Sequence, residues 1–174
     1  MNGSETNQPQ KKLYATVKQP EGSKLCGAAC VSMICGYTLE ALYMVLTDSH
    51  KGRSPFTLEE QLELEEPHFC HLTQIVEFLA QHNMMMGTYA QAENAEKGGR
   101  LSLSGEDSFQ ITISTSCPAL VGVDSENYQG KLHWVFWDGE YIRDPNPKHP
   151  ATRPLSDFDG CIYDWFPIIR FDNA

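Results

Sequence analysis

The segment Leu132-His133-Trp134-Val135-Phe136-Trp137-Asp138-Gly139-Glu140-Tyr141-Ile142-Arg143-Asp144 restricts the fold more than any other part of the chain. An Asp-Gly pair between two apolar runs is the strongest short hairpin signal. With Asp138 and Gly139 as the two loop residues, Trp137 pairs with Glu140, Val135 with Ile142 and His133 with Asp144. Directly opposed residues share a sheet face, with Cβ atoms about 5 Å apart. A one-residue slip would put His133 and Asp144 on opposite faces. The turn therefore decides whether the two side chains can meet.

Around this hairpin the chain divides into two characters. Ser23 followed by Lys24 to Cys35 and then Gly36 reads as a capped helix stopped by a glycine. Its residues Leu25, Ala28, Ala29, Val31, Met33 and Ile34 are apolar on nearly every side, the pattern of a central, buried helix. Thr38 to Leu46 predicts a shorter helix with Thr38 as its cap. Thr57-Leu58-Glu59-Glu60 is a capping-box arrangement for a third, ending near Pro67. His71 to His82 places Leu72, Ile75, Val76 and Leu79 on one stripe of a further helix. From Met86 onward, Phe109–Ile113, Ala119–Val123, Leu132–Trp137 and Cys161–Phe171 read as strands, the last interrupted at Pro167, which suggests an edge or a bend. Gln91–Asp107, polar and glycine-containing, reads as a long connection. A helical first half whose central cysteine-bearing helix packs on an antiparallel sheet is an α+β order. Residues 1–12 are expected to be a flexible polar tail and residues 13–174 a single domain.

Composition narrows the function classes. A chain of 174 residues can bury its own core, and 41% hydrophobic with 21% charged residues is an ordinary globular mixture. A formal net charge of -10 repels phosphate backbones and anionic lipid, so neither nucleic acid nor a membrane is the expected partner. A polypeptide is. The polar opening residues resemble neither a signal peptide nor a membrane span, which makes the cytoplasm the expected compartment, delivery by a specialised secretion route aside. Six cysteines without an export signal read as reduced thiols. Cys70-His71 and Cys26/Cys30 are conceivable zinc ligands, but no C-x2-C or H-x3-H pair is present, and no metal or cofactor is expected.

The chemistry concentrates in three residues. With Ser23 as the cap, Cys26 falls at the third helical position, where unpaired backbone N–H groups and the positive end of the helix dipole favour a thiolate. Gly27 beside it opens the approach for a substrate carbonyl, and the Cys26 N–H is a plausible oxyanion donor. Cys30 lies one turn further along, away from those N–H groups, and reads as core together with Cys35, Cys70, Cys117 and Cys161. Across the hairpin, Asp144 can accept the Nδ1 proton of His133 and leave Nε2 for the thiol. Taken singly, each has a plainer explanation, His133 as a strand histidine with a satisfied hydrogen bond and Asp144 as a turn starter before Pro145; it is their opposition across the hairpin, with Cys26 at a helix start, that favours the joint role. The other histidines, His50, His68, His71, His82 and His149, sit in loops or at helix ends and read as solvated.

Gln19 ahead of Leu25-Cys26-Gly27-Ala28-Ala29-Cys30-Val31-Ser32-Met33, then His133-Trp134-Val135 and Asp144-Pro145-Asn146-Pro147, resemble the double-glycine leader peptidases of bacteriocin exporters and their stand-alone relatives, which are papain-like cysteine peptidases. The resemblance implies a papain-like fold over residues 13–174, with Cys26 as nucleophile, His133 as general base and acid, Asp144 as the group that orients the histidine, and Gln19 as a side-chain oxyanion donor. The family usually places this glutamine six residues before the cysteine, where this chain has seven. A longer loop containing Gly22 can absorb the difference; otherwise Gln19 reads as a surface residue. Leu25 stands where the family often has an acidic residue. No membrane span or nucleotide-binding motif follows the domain, so an exporter subunit is not expected.

The expected activity is hydrolysis of an amide bond, with peptide the foremost substrate, through an acyl-enzyme on Cys26. The same thiol and imidazole could deamidate glutamine or transfer an acyl group to an amine, and the scaffold could serve as a catalytically silent binding module.

Overall fold

A computed structural model of the chain describes residues 14–42, 72–87, 117–127 and 130–171. The tail 1–12, the helix expected from Thr57, the continuation of the Thr38 helix past residue 42, the connection Gln91–Asp107 and the strand Phe109–Ile113 lie outside these residues, as do Cys70, His50, His68 and His71.

The described residues have an α+β architecture. Helices α1 (Cys26–Cys35) and α2 (Leu72–Gln81) accompany strands β1 (Met84–Met86), β2 (Ala119–Asp124), β3 (Leu132–Trp137), β4 (Ile142–Arg143), β5 (Thr152–Arg153) and β6 (Ile162–Arg170). The strands form one sheet in the order β1-β6-β2-β3-β4-β5, every neighbouring pair antiparallel. The first half is not purely helical, because β1 follows α2 directly and pairs with β6 near the end of the chain.

Alternation along the strands builds two apolar layers. Leu120, Phe136 and Phe166 face α1, and together with Ile75, Phe78 and Leu79 of α2 they enclose it. Residues 27–34 of α1 are all buried, as the all-round apolar pattern predicts. On the opposite face Val121, Val135, Trp137 and Trp165 pack with Ile142, Ile162 and Phe158. Each such side chain contributes roughly 1.5–3 kcal/mol when fully buried, so the two layers fix the orientation of every central strand. Val76, expected on the inner stripe of α2, is instead 44% exposed. The buried stripe runs through Ile75, Phe78 and Leu79, and Val76 lies 100° around the helix from Ile75.

Helix ends follow local chemistry, with one correction. Gly36 closes α1 in the left-handed conformation (φ 80°) and its N–H donates to Ser32 O at 2.8 Å. Thr38 caps the next helical turn, residues 39–42, its Oγ1 accepting the Ala41 N–H at 3.2 Å. Ser23, however, does not cap α1. Its N–H donates to Pro20 O at 3.1 Å in a turn, and the helix starts two residues later than expected, with Leu25 at the cap position and no side-chain cap.

Pro167 is not at an edge: it sits within β6, opposite Ala119 of β2 and flanked on the other side by β1. Its oxygen accepts the Gly87 N–H at 2.8 Å, while Ile168 N–H reaches Pro118 O at 2.7 Å. The donor that proline lacks would face Gly87, one residue past the end of β1. Only a terminal bond of that ladder is forgone.

The hairpin differs from expectation in its loop. Trp137 pairs with Ile142 and Phe136 with Arg143, so residues 138–141 form a four-residue connection. Asp138 causes this: Oδ1 accepts the N–H groups of Glu140 and Tyr141, both at 2.8 Å, and Oδ2 takes the Arg143 guanidinium at 2.7 Å. The register is thereby displaced by two residues rather than one. Parity is preserved, and His133 and Asp144 keep the same face as diagonal neighbours. Replacing Asp138 by Ala removes these bonds together and is expected to lower stability by about 2 kcal/mol, measured by denaturant unfolding against wild type.

Candidate active site

The start of α1 and the start of β3 meet at an open cleft lined by Cys26, Gly27, His133, Trp134, Gln19 and Ser23. Cys26 is the first residue of α1, nearer the helix end than the third position that the Ser23 cap implied. The first intrahelical bond recorded at this end is Ala29 N–H to Leu25 O at 2.9 Å. The N–H groups of Cys26, Gly27 and Ala28 therefore have no acceptor within the helix. Cys26 is partly exposed at the cleft. Cys30 is 0% exposed and its thiol donates to Trp134 O at 3.4 Å, so the two cysteines of α1 have opposite surroundings. Cys117 and Cys161 are partly exposed rather than core, Cys35 is partly exposed where it packs against the core, and among the described residues no cysteine is in a disulfide.

His133 Nε2 donates to Asp144 Oδ1 at 2.8 Å. The pairing expected across the hairpin is present with the ring turned the other way: Nε2, not Nδ1, meets the carboxylate, which leaves Nδ1 on the side of the thiol. The diagonal relation explains the exchange, because spanning it requires the far nitrogen of the ring. Burial opposes charge on His133, but the hydrogen bonds and charges of Asp144 and Cys26 outweigh it and raise the imidazole from 6.5 to about 9. Burial likewise opposes ionisation of Asp144, yet His133, His149 and the Asn146 N–H hold its carboxyl well below the usual carboxylate range.

Asp144 is 0% exposed and both its oxygens are engaged. Oδ1 also accepts the Asn146 N–H at 2.8 Å, and Oδ2 accepts His149 Nδ1 at 2.6 Å with Arg153 at 3.4 Å. His149 Nε2 in turn meets Glu126 Oε2 at 3.0 Å. His149 is thus neither solvated nor without a carboxylate. His82 is also anchored, through Nδ1 to Phe78 O at 2.8 Å, and stacks on the Phe78 ring. Successive turns bring His149 back onto Asp144: Lys148 N–H donates to Asn146 Oδ1 and His149 N–H to Asn146 O. The Lys18 ammonium holds this loop, its three N–H groups shared among the carbonyls of Asp144 (2.7 Å), Asn146 (2.9 Å), His149 (3.0 Å) and Pro150 (3.2 Å). Burial pulls Lys18 below its ordinary value, against the charge of Asp144.

Gln19 follows Lys18 and is drawn to the same loop by its N–H, which donates to Pro145 O at 2.9 Å. It is 7% exposed, not a surface residue, and its Nε2 donates to Ser23 O at 3.2 Å. A turn over Pro20–Ser23, with Gly22 at φ 76°, lies between Gln19 and Cys26. Gln19 Oε1 and Ser23 Oγ are buried and have no hydrogen-bond partner among the described residues, and both residues line the cleft.

The structure thus brings Cys26, His133, Asp144 and Gln19 together. Sequence reasoning missed Lys18, His149, Arg153 and Glu126. For His149 the Asp-Pro-Asn-Pro spacing held a signal, since Asn and Pro favour a loop that folds back. Lys18 had none, as its partners are backbone carbonyls more than 120 positions away. Among the described residues no His, Cys, Asp and Glu group is arranged to hold a metal ion, and no helix is long and apolar enough to cross a membrane. Compared with protein-family models and with curated proteins, the chain matches none.

Two outcomes are expected. A Cβ on Gly22 meets no atom of the described residues within 4 Å, so Gly22→Ala is expected to carry the backbone penalty, about 1 kcal/mol. Thermal unfolding measures it. The raised His133 stabilises the fold fully below pH 6.5, and that stabilisation fades as pH climbs through about 9. Asp144 contributes above about 3.8 and loses its contribution as pH falls through its lowered value. Between pH 6.5 and 9 wild-type stability should therefore fall more steeply than that of His133→Ala, by on the order of 3 kcal/mol in denaturant titrations.

Proposed function

We propose that the chain is a papain-like thiol hydrolase that cleaves an amide bond, with a polypeptide as substrate. The reading rests on one observation above others: a mostly buried imidazole, tied by Nε2 to a fully buried carboxylate, is raised to about 9 beside a cysteine that opens a helix at the cleft. At neutral pH the imidazolium form prevails, the partner a thiolate needs.

In this mechanism the Cys26 thiolate attacks the substrate carbonyl carbon, and the resulting oxyanion takes hydrogen bonds from the Cys26 N–H and the Gln19 side-chain amide. His133 gives its proton to the leaving amine as the C–N bond breaks. The neutral imidazole then accepts a proton from the water that attacks the thioester. The acid leaves, and thiolate and imidazolium are restored. Asp144 orients the ring and stabilises its charge throughout. Trp134, half-buried at the cleft, forms an apolar wall for the side chains that flank the scissile bond.

Alkylation by iodoacetamide at pH 7 followed by peptide mass mapping tests the reading. Cys26 is expected to react first, with loss of that labelling in Cys26→Ser, retention in Cys30→Ser and at least tenfold slowing in His133→Ala. Slow, unselective labelling would sink the hydrolase. Incubation with a peptide library separates the reactions: new termini mean hydrolysis, and a deamidation mass shift means release of ammonia from glutamine.

A further inference from the structure

The far side of Asp144 is as fully built as the side facing the cleft. Oδ1 serves His133 and the Asn146 N–H, while Oδ2 has the His149 ring at 2.6 Å and the Arg153 guanidinium at 3.4 Å. The carboxylate is fully buried in the intact site. A carboxylate rotates about its last side-chain bond unless both oxygens are held, and rotation here would carry Oδ1 away from His133. The His149 ring is itself held at both nitrogens. Its Nε2 meets Glu126 Oε2 at 3.0 Å, and Glu126 belongs to the connection between β2 and β3 rather than to the Asp144 loop. Two elements therefore converge on one imidazole whose two ring nitrogens both face carboxylate oxygens. Among the described residues, Asp124, Asp157 and Cys161 are the remaining titratable groups of that pocket.

We propose that His149, steadied by Glu126, is a positioning residue for the cleft: it pins Oδ2 of Asp144 so that Oδ1 stays on His133 Nε2. The proposal rests on the thiol-hydrolase reading for its catalytic meaning and on the hydrogen-bond geometry for its physical content. His149 touches no substrate. It acts through the orientation of a carboxylate, as outer partners of catalytic groups do.

Asn and Gln separate the two ends of the ring, since the Asn amide nitrogen falls near the place of Nδ1 and the Gln amide nitrogen near that of Nε2. His149→Ala is expected to slow Cys26 alkylation at pH 7 about tenfold, and to move the pH at which the alkylation rate rises toward higher values. His149→Asn should recover most of the loss and His149→Gln little of it. The side-chain 15N signals of His133, read by NMR without substrate above about pH 9, where the ring has lost its second proton, should show the remaining proton on Nε2 in wild type and in His149→Asn, and a mixture of tautomers or faster exchange in His149→Ala. If His149→Ala does not fold, the Asn and Gln variants decide the matter between them. Unchanged rate profile and unchanged His133 signals in a folded His149→Ala overturn the proposal, as does equal recovery by Asn and Gln, which would mean that the ring only fills space. Absence of selective Cys26 labelling in wild type would instead overturn the hydrolase reading, with the His133 nitrogen signals still deciding the role of His149.

Discussion

A carboxylate without solvent contact is the constraint from which the rest of the site follows. An ionised Asp buried alone would cost several kcal/mol, and it is tolerated only where donors surround it. Asp144 collects them from separate places: His133 from β3, Asn146 and His149 from its own loop and Arg153 from β5. Each is held by something else, His149 by Glu126 and the loop by Lys18. The groups that would orient the imidazole for chemistry are therefore the groups that make the buried charge tolerable. Stability and geometry are one requirement here.

Much of this was legible in the sequence, for reasons that can be named. Helix α1 and strands β2 and β3 were read within two residues of their bounds because periodicity and a terminal glycine are local signals. The meeting of His133 with Asp144 was also legible, although the assumed two-residue loop was wrong. Asp138 enlarges the loop by bonding to amides two and three residues on, and the resulting displacement by two conserves which face each side chain occupies. The cap at Ser23 and the ring nitrogen facing Asp144 were misread, since both depend on contacts the local pattern does not contain. Lys18 was invisible because its partners are carbonyl oxygens, which every residue carries.

The two apolar layers explain why so polar a site can be held in place. Phe136 and Leu120 press on α1, while Val135, Val121 and Trp137 pack on the opposite face of the same strands. A shift of β3 by one residue would exchange the two sets and expose both layers. His133 inherits that fixed register, and Gly122 gives Trp134 room to lie flat: a Cβ there would come within 3.1 Å of the Trp134 ring and 3.2 Å of Asp164. The wall of the cleft is thus set by an absent side chain on the neighbouring strand.

The order of these residues along the chain has a consequence for synthesis. Lys18, Gln19 and Cys26 emerge early, whereas the loop that gathers around the Lys18 ammonium comes more than a hundred residues later. A nascent chain that has not passed residue 150 carries the thiol without its histidine's carboxylate loop in place. The long-range closure joins an early segment to a late one, a high contact-order step that folds slowly. Until residue 150 has been made, the groups that surround Asp144 cannot all be in place, so the order of the residues sets when the cleft can take its folded form.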